Sequence, residues 1–296
     1  MDIVVAGSHG LIGSELLERL RADGHRVRRL VRRPPQTAHE REWDPGAGIL
    51  DPAVLEGADA VVNLAGAGIG ERRWTAAYKR ELLTSRTRTT GLLARTLAAL
   101  DAPAPVLVQG SGIGYYGDRG AQVLTETSTS GDGFLARLVR EWEAAARPAQ
   151  EAGVRVVLAR TGIVLAPEGG ALGRLLPFLR LGVGGPLGRG SQYWSWITLR
   201  DEVAALCHLL TAPVHGPVNL CAPRPSTNAE VTRALARALH RPALVHVPSV
   251  ALKVVLGELA TDVLGSQRAL PTVLEASGFR FTDTDLDAAA RWVVER

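Results

Sequence analysis

Short apolar runs alternate with amphipathic stretches along the first half of the chain. Met1-Asp-Ile-Val-Val-Ala6 is rich in β-branched residues and predicts a buried strand. Ser14 to Asp23 has helical spacing and is closed by Gly24. His25–Val31, Ala58–Ala65, Ala104–Gly110 and Val154–Arg160 are further strand runs, while 74–100 and 133–150 read as helices. This alternation predicts an α/β fold, a Rossmann-like doubly wound parallel sheet. After Leu165 the pattern changes. Residues 167–192 are glycine-rich, with Gly169–Gly173 open to two readings, a solvated connector or a substrate-facing lid. Ser191–Thr198 is strand-like again, a helix follows from Asp201, and Thr227-Asn-Ala-Glu230 is a capping box ahead of Val231, Leu235 and Leu239. A closing helix is expected over Thr282–Glu295. The expected organisation is a nucleotide-binding domain over 1–165 and a smaller α+β substrate domain over 166–296, with strands free to cross between them.

The turn after the first strand reads Gly7-Ser-His-Gly10-Leu-Ile-Gly13. Strand, glycine-rich turn and helix, in that order, is the setting in which such spacing marks a dinucleotide phosphate site. Glycines let backbone approach a pyrophosphate, and the helix N-terminus offers unpaired N–H groups to it. Gly7, His9, Gly10, Leu11, Ile12 and Gly13 are therefore candidate cofactor contacts. The second strand runs into Arg32-Arg33-Pro34-Pro35, where an NAD-binding chain usually places an acid that accepts from the ribose 2′-OH. Arginine cannot accept, but its planar fork suits a phosphate. The expected cofactor is NADP(H), with Arg32 the main phosphate ligand and Arg33 a second candidate. The competing reading is a solvated basic edge made of Arg26, Arg28, Arg29, Arg32 and Arg33. Ligands of such sheets lie outside the strand carboxyl ends. Those ends add Leu64, Ala65, Gly66, Ser111 and Arg160 to the same crevice.

Composition narrows the partners. The formal net charge is only +4, and lysine occurs at 79 and 253 alone. The arginines are scattered and often sit beside acids, as in Glu18-Arg19 and Arg140-Glu141, so no nucleic-acid partner is expected. Cys207 and Cys221 are too few for a disulfide framework, and the seven histidines form no HExxH or HxH pattern, so no metal is expected. Val250–Leu264 carries Lys253, Glu258 and Asp262 and is too short to cross a bilayer. With a strand at the very start and no basic leader, a cytoplasmic protein, monomeric or homodimeric and free of membrane, is expected.

Taken together, these segments resemble the short-chain dehydrogenase/reductase superfamily in its extended, sugar-nucleotide-epimerase-like form, and more closely an atypical epimerase-family branch of it. The resemblance is carried by Gly7–Gly13, Trp43-Asp-Pro45, Val62-Asn-Leu-Ala-Gly66, Ser85-Arg86, Tyr115-Tyr-Gly117, Trp142-Glu143, Arg160-Thr-Gly-Ile-Val-Leu165, Leu181-Gly-Val-Gly-Gly-Pro186 and Thr227-Asn-Ala-Glu230. Gly265-Ser-Gln-Arg268 with Pro271 matches that branch's C-terminal extension. It covers nearly the whole chain and implies an NADP-binding Rossmann-like domain, with cofactor contacts from Leu64-Ala65, from Arg86 and from the strand end near Ile163.

One departure matters for function. The superfamily uses Tyr-x-x-x-Lys, in which the lysine lowers the tyrosine pKa so that it can act as acid or base. The positions that would pair with Lys79 and Lys253 hold Thr75 and Ser249, so the motif is absent. Candidate substitutes are Ser111, where the superfamily's catalytic hydroxyl sits, and Tyr116. Ser111 could equally bond local backbone, and Tyr116 could be a packing element. Arg119 hardly titrates, and Glu126 in the following loop is either a substitute acid or, as expected, a solvated carboxylate. Trp194 and Trp196 are either a stacking surface for substrate or core residues. The expected activity is NADP(H)-dependent oxidoreduction or epimerisation of a small carbonyl or alcohol substrate; the alternative is a non-catalytic NADP(H)-binding sensor or scaffold.

Overall fold

A computed structural model of the chain describes residues 1–243 and 245–295. Ile3, Val4 and Val5 have no polar face to turn to water and need cover on both sides. β1 (Asp2–Ala6) accordingly lies inside a parallel sheet. Its other strands are β2 (Arg26–Val31), β3 (Glu40–Glu42), β4 (Ala60–Asn63), β5 (Val106–Gly112), β6 (Arg155–Thr161) and β7 (Gly216–Leu220). The spatial order is β7-β6-β5-β4-β1-β2-β3, all neighbours parallel. Strand order reverses between β1 and β4, and the crevice outside the strand ends opens there.

Each face of the sheet has its own core. Ile3, Val5, Val62, Val108 and Val157 pack with Leu16, Leu20, Leu206 and Leu209 on one side. Val4, Val61, Leu107 and Val156 pack with Leu93 and Leu97 on the other. The covering helices are α1 (Leu11–Ala22), α2 (Ala76–Ala98) and α3 (Phe134–Ala144). The single helix expected over 133–150 is in fact two, α3 and Arg147–Glu151. Pro148 lacks the N–H that would bond to Ala144, and its ring would clash there, so the helix breaks.

The later chain does two things. The helix Leu199–Thr211 and β7 complete the first core and the sheet edge. The remainder builds a third core from Leu165, Leu172, Leu176, Val231, Leu235 and Val293, in which Trp194 and Trp196 are buried. The capping box of Thr227 and Glu230 forms as its spacing predicts. Inside the glycine-rich stretch lies an unexpected helix, Leu172–Arg180, whose Leu172, Leu175, Leu176 and Leu179 are buried. Glycines on both sides masked an ordinary i, i+3, i+4, i+7 stripe. Among the described residues no helix is long and apolar enough to cross a membrane.

Candidate cofactor and active site

Helix α1 starts at Leu11, three residues before the sequence pattern suggested, so the glycine turn is its first turn. Gly10 caps it without a side-chain bond, and its first turn holds no acid. Its leading N–H groups are thus left for an outside anion. Gly7 has φ 81°, and a Cβ there would lie 2.5 Å from the Leu64 carbonyl carbon. A Cβ on Gly13 would lie 2.2 Å from the Gly7 oxygen. These two glycines let three backbone segments touch. Gly10 differs, because its nearest neighbour would be 3.6 Å away, so it is exposed rather than packed.

Leu64, Ala65 and Gly66 leave β4 over the guanidinium of Arg86 on α2. A Cβ on Gly66 would stand 3.1 Å from Arg86 Cζ. Arg86 is 7% exposed, lies over the Trp142 ring and donates from Nη1 to the Leu82 carbonyl. Its Nε is buried with no partner, and no carboxylate pairs with it among the described residues. Burial pulls its pKa down to about 10. A buried cation without a counter-charge is costly unless a ligand supplies one.

At the end of β2 the arginines have separate fates. Arg33 forms two 2.8 Å bonds to Glu40 on β3, which hold that carboxyl down to about 2. Arg29 reaches the glycine turn, with Nε 3.1 Å from Ser8 Oγ and Nη2 2.6 Å from His9 Nε2. Arg32 is exposed and has no hydrogen bond or ion pair among the described residues.

Ser111 and Arg160 are register partners on β5 and β6. Glu143 of α3 joins them, accepting from Ser111 Oγ at 2.6 Å and from Arg160 Nε and Nη2 at 2.8 and 2.9 Å. Arg160 also donates to the Tyr116 hydroxyl at 3.1 Å and lies 3.5 Å from the Tyr115 ring centre. Burial works against its charge, but the bonds to Glu143 more than offset this and its pKa is raised. Expected as a cofactor contact, Arg160 instead directs its guanidinium to Glu143 and Tyr116. Tyr116 is 0% exposed and donates to Asn219 Oδ1 at 2.7 Å; burial pushes its pKa up to about 12. Tyr116 is thus enclosed, whereas Ser111 and Glu143 sit at the strand end. Glu143 stands in the sequence only as part of the Trp142-Glu143 segment, which gives no sign of these partners.

Glu126 is not the solvated carboxylate expected: it is buried, and Oε1 accepts from the Asn219 and Val273 amides. Its other oxygen, Oε2, is buried without a partner. Arg119 bonds Gln122 in its own loop. Ile163 and Leu11 are half-buried at the crevice, and the Gly169-Gly170 turn lies against Leu11. Behind Thr161, Glu202 is fully buried, accepts from Thr161 Oγ1 at 2.7 Å and leaves Oε2 unpartnered. Burial raises its pKa from 4.5 to about 8. The folded state keeps this proton over a range where the unfolded chain has lost it, so stability falls as pH rises from 4.5 to about 8. Glu202→Gln removes that loss. Urea titrations should show it more stable than wild type at pH 8, by about 2–4 kcal/mol, with the gap closing towards pH 5.

The arrangement combines a phosphate-ready helix end, a buried cation lacking its anion and a strand-end hydroxyl beside a clamped carboxylate. Residues 3–221 match the model of the NAD dependent epimerase/dehydratase family, and 247–293 match a domain of unknown function, DUF1731. The chain is 47% identical to the epimerase family protein Mb2239 of Mycobacterium bovis, over 99% of this chain and 98% of that one. It is similar to the crystal structure of human epimerase family protein SDR39U1 with NADPH, at TM-score 0.91 and 36% identity, covering 100% of this chain and 99% of that one. It also resembles a nucleoside-diphosphate sugar epimerase from Corynebacterium glutamicum, at TM-score 0.80 and 34% identity, covering 99% of this chain and 58% of that one.

Proposed function

The chain belongs to the NAD dependent epimerase/dehydratase family, and on that footing we propose that it is an NADP(H)-dependent oxidoreductase or epimerase-like enzyme acting on a small carbonyl or alcohol carbon. The observation that carries this reading is Arg86, a buried guanidinium without a counter-charge under the loop that follows β4. Gly7, Gly10, Leu11, Ile12 and Gly13 would hold the pyrophosphate, and Arg32 the 2′-phosphate. Leu64, Ala65, Gly66 and Ile163 would flank the nicotinamide half. A bound nicotinamide supplies or accepts the hydride. Ser111 then handles the substrate oxygen. Its own proton is directed to Glu143, so in alcohol oxidation Oγ would take the substrate's hydroxyl proton while passing its own to the Glu143 carboxylate, and carbonyl reduction would run the same transfer in reverse. Tyr116, enclosed by Asn219 and Arg160, is left to packing.

Binding measurements test the cofactor part. Wild type should bind NADPH well ahead of NADH, and Arg32→Ala should cost about ten- to a hundredfold for NADPH alone, the worth of a charge-assisted bond. Equal affinities in wild type would refute the reading. For the reaction, a carbonyl panel followed by nicotinamide absorbance should reveal turnover that Ser111→Ala removes. Tight binding without oxidation across the panel would favour a non-catalytic sensor, the reading that the missing Tyr-x-x-x-Lys supports.

A further inference from the structure

Arg29 was grouped by sequence with a solvated basic edge, yet its side chain is only 16% exposed. It stands in register between Val5 of β1 and Glu40 of β3, and it reaches forward to the glycine turn. The ionisable groups that meet it are Glu40, which it shares with Arg33, and His9. Glu40 is shared, since both its oxygens accept from Arg33 while Arg29 Nη1 stands 3.4 Å from Oε1. The other Arg29 donors go to Ser8 Oγ and His9 Nε2.

A guanidinium has five donors and no acceptor, and it does not lose its proton in proteins. At 2.6 Å, therefore, Nε2 of His9 accepts. The ring must be neutral and must carry its single proton on Nδ1. Ser8 is buried, so its bond to Arg29 anchors the turn, whereas His9 is exposed. The geometry points to Arg29 as a positioning residue that fixes His9 as a neutral donor, leaving its Nδ1–H to bind the 2′-phosphate of the cofactor beside Arg32. This rests on the NADP(H) reading above and extends it. Selectivity then depends on a proton placed by a residue that does not itself touch the phosphate.

Three measurements on the full chain decide it. Nitrogen-15 spectra of the imidazoles, taken without cofactor, should show His9 protonated at Nδ1 and bare at Nε2. Arg29→Met should lower the NADPH-over-NADH affinity ratio about tenfold or more, beyond whatever loss both cofactors share from a loosened turn, because only NADPH carries the 2′-phosphate. His9→Ala should give a similar loss, and the double variant should be no worse than the poorer single one, as expected for two residues acting as one unit. The proposal is overturned if Nε2 carries the proton, if Arg29→Met keeps the wild-type NADPH-over-NADH ratio, or if the two losses simply add. Should Arg29→Met fail to fold, the wild-type spectra and His9→Gln still decide. Glutamine offers an amide NH2 as donor and a carbonyl oxygen for Arg29, so it should keep part of the ratio that alanine loses; equal ratios for the two variants would count against the proposal. A wild type that does not prefer NADPH would remove the cofactor reading instead, and the tautomer result would stand separately.

Discussion

Arg160→Met should destabilise the protein by about 3–5 kcal/mol in urea or thermal unfolding, the usual cost of stripping one partner from a buried ion pair. The Arg160 and Glu143 side chains are 4% and 10% exposed. Without the guanidinium, the Glu143 carboxylate keeps only the Ser111 hydroxyl among its present partners, and the Tyr116 hydroxyl loses a donor. Glu143→Gln in the same background should recover much of the loss, because a neutral amide needs no counter-charge there. If the single variant unfolds like wild type, the pair contributes little and its role as a clamp is wrong. Recovery in the double variant also separates charge from packing, since methionine retains most of the aliphatic stem.

The second large effect is at the glycine turn. Gly13→Ala should lower NADPH affinity about a hundredfold or more and cost about 1–3 kcal/mol in stability, as overpacking does. Its Cβ would sit 2.2 Å from the Gly7 oxygen, and both sides of that contact are backbone, so the turn must open. Gly10→Ala is the control. Its Cβ would find nothing nearer than 3.6 Å, so the change should cost no more than the few tenths to about 1 kcal/mol that alanine gives up to glycine at a helix N-cap. NADPH binding should nevertheless weaken, because the methyl group would occupy the face that the phosphates approach. Matching losses of stability in the two variants would mean that both glycines are packing residues.

Much of this was legible beforehand because it is local. The glycine turn and the β-branched strands each depend on a few neighbouring residues, and the sheet follows from the alternation of strands and helices. What was hidden depends on distance and direction. Glu141 and Glu143 are two residues apart, about 200° around a helix, so one faces solvent while the other turns inward to Arg160. A hydropathy pattern sees two equal charges. The buried state of Glu126 likewise depends on amide donors 93 and 147 residues away. Arg29, Arg32 and Arg33 look alike in the sequence. Glu40, on a short edge strand that no pattern announced, is what tells them apart.

The seventh strand has a consequence for how the chain reaches its shape. β6 pairs on one side with β5 and on the other with β7, which lies some fifty residues further on, after the helix Leu199–Thr211. Leu206, Leu209, Val218 and Leu220 from that late stretch close the core around Ile3 and Val5. During synthesis the first strands to leave the ribosome therefore wait, with one face partly bare and an edge open, until more than two thirds of the chain has followed. A growing chain held in that state exposes apolar surface and an unpaired edge, and a fragment that stops at residue 165 should present the same bare face permanently and aggregate, which light scattering of the purified fragment would check.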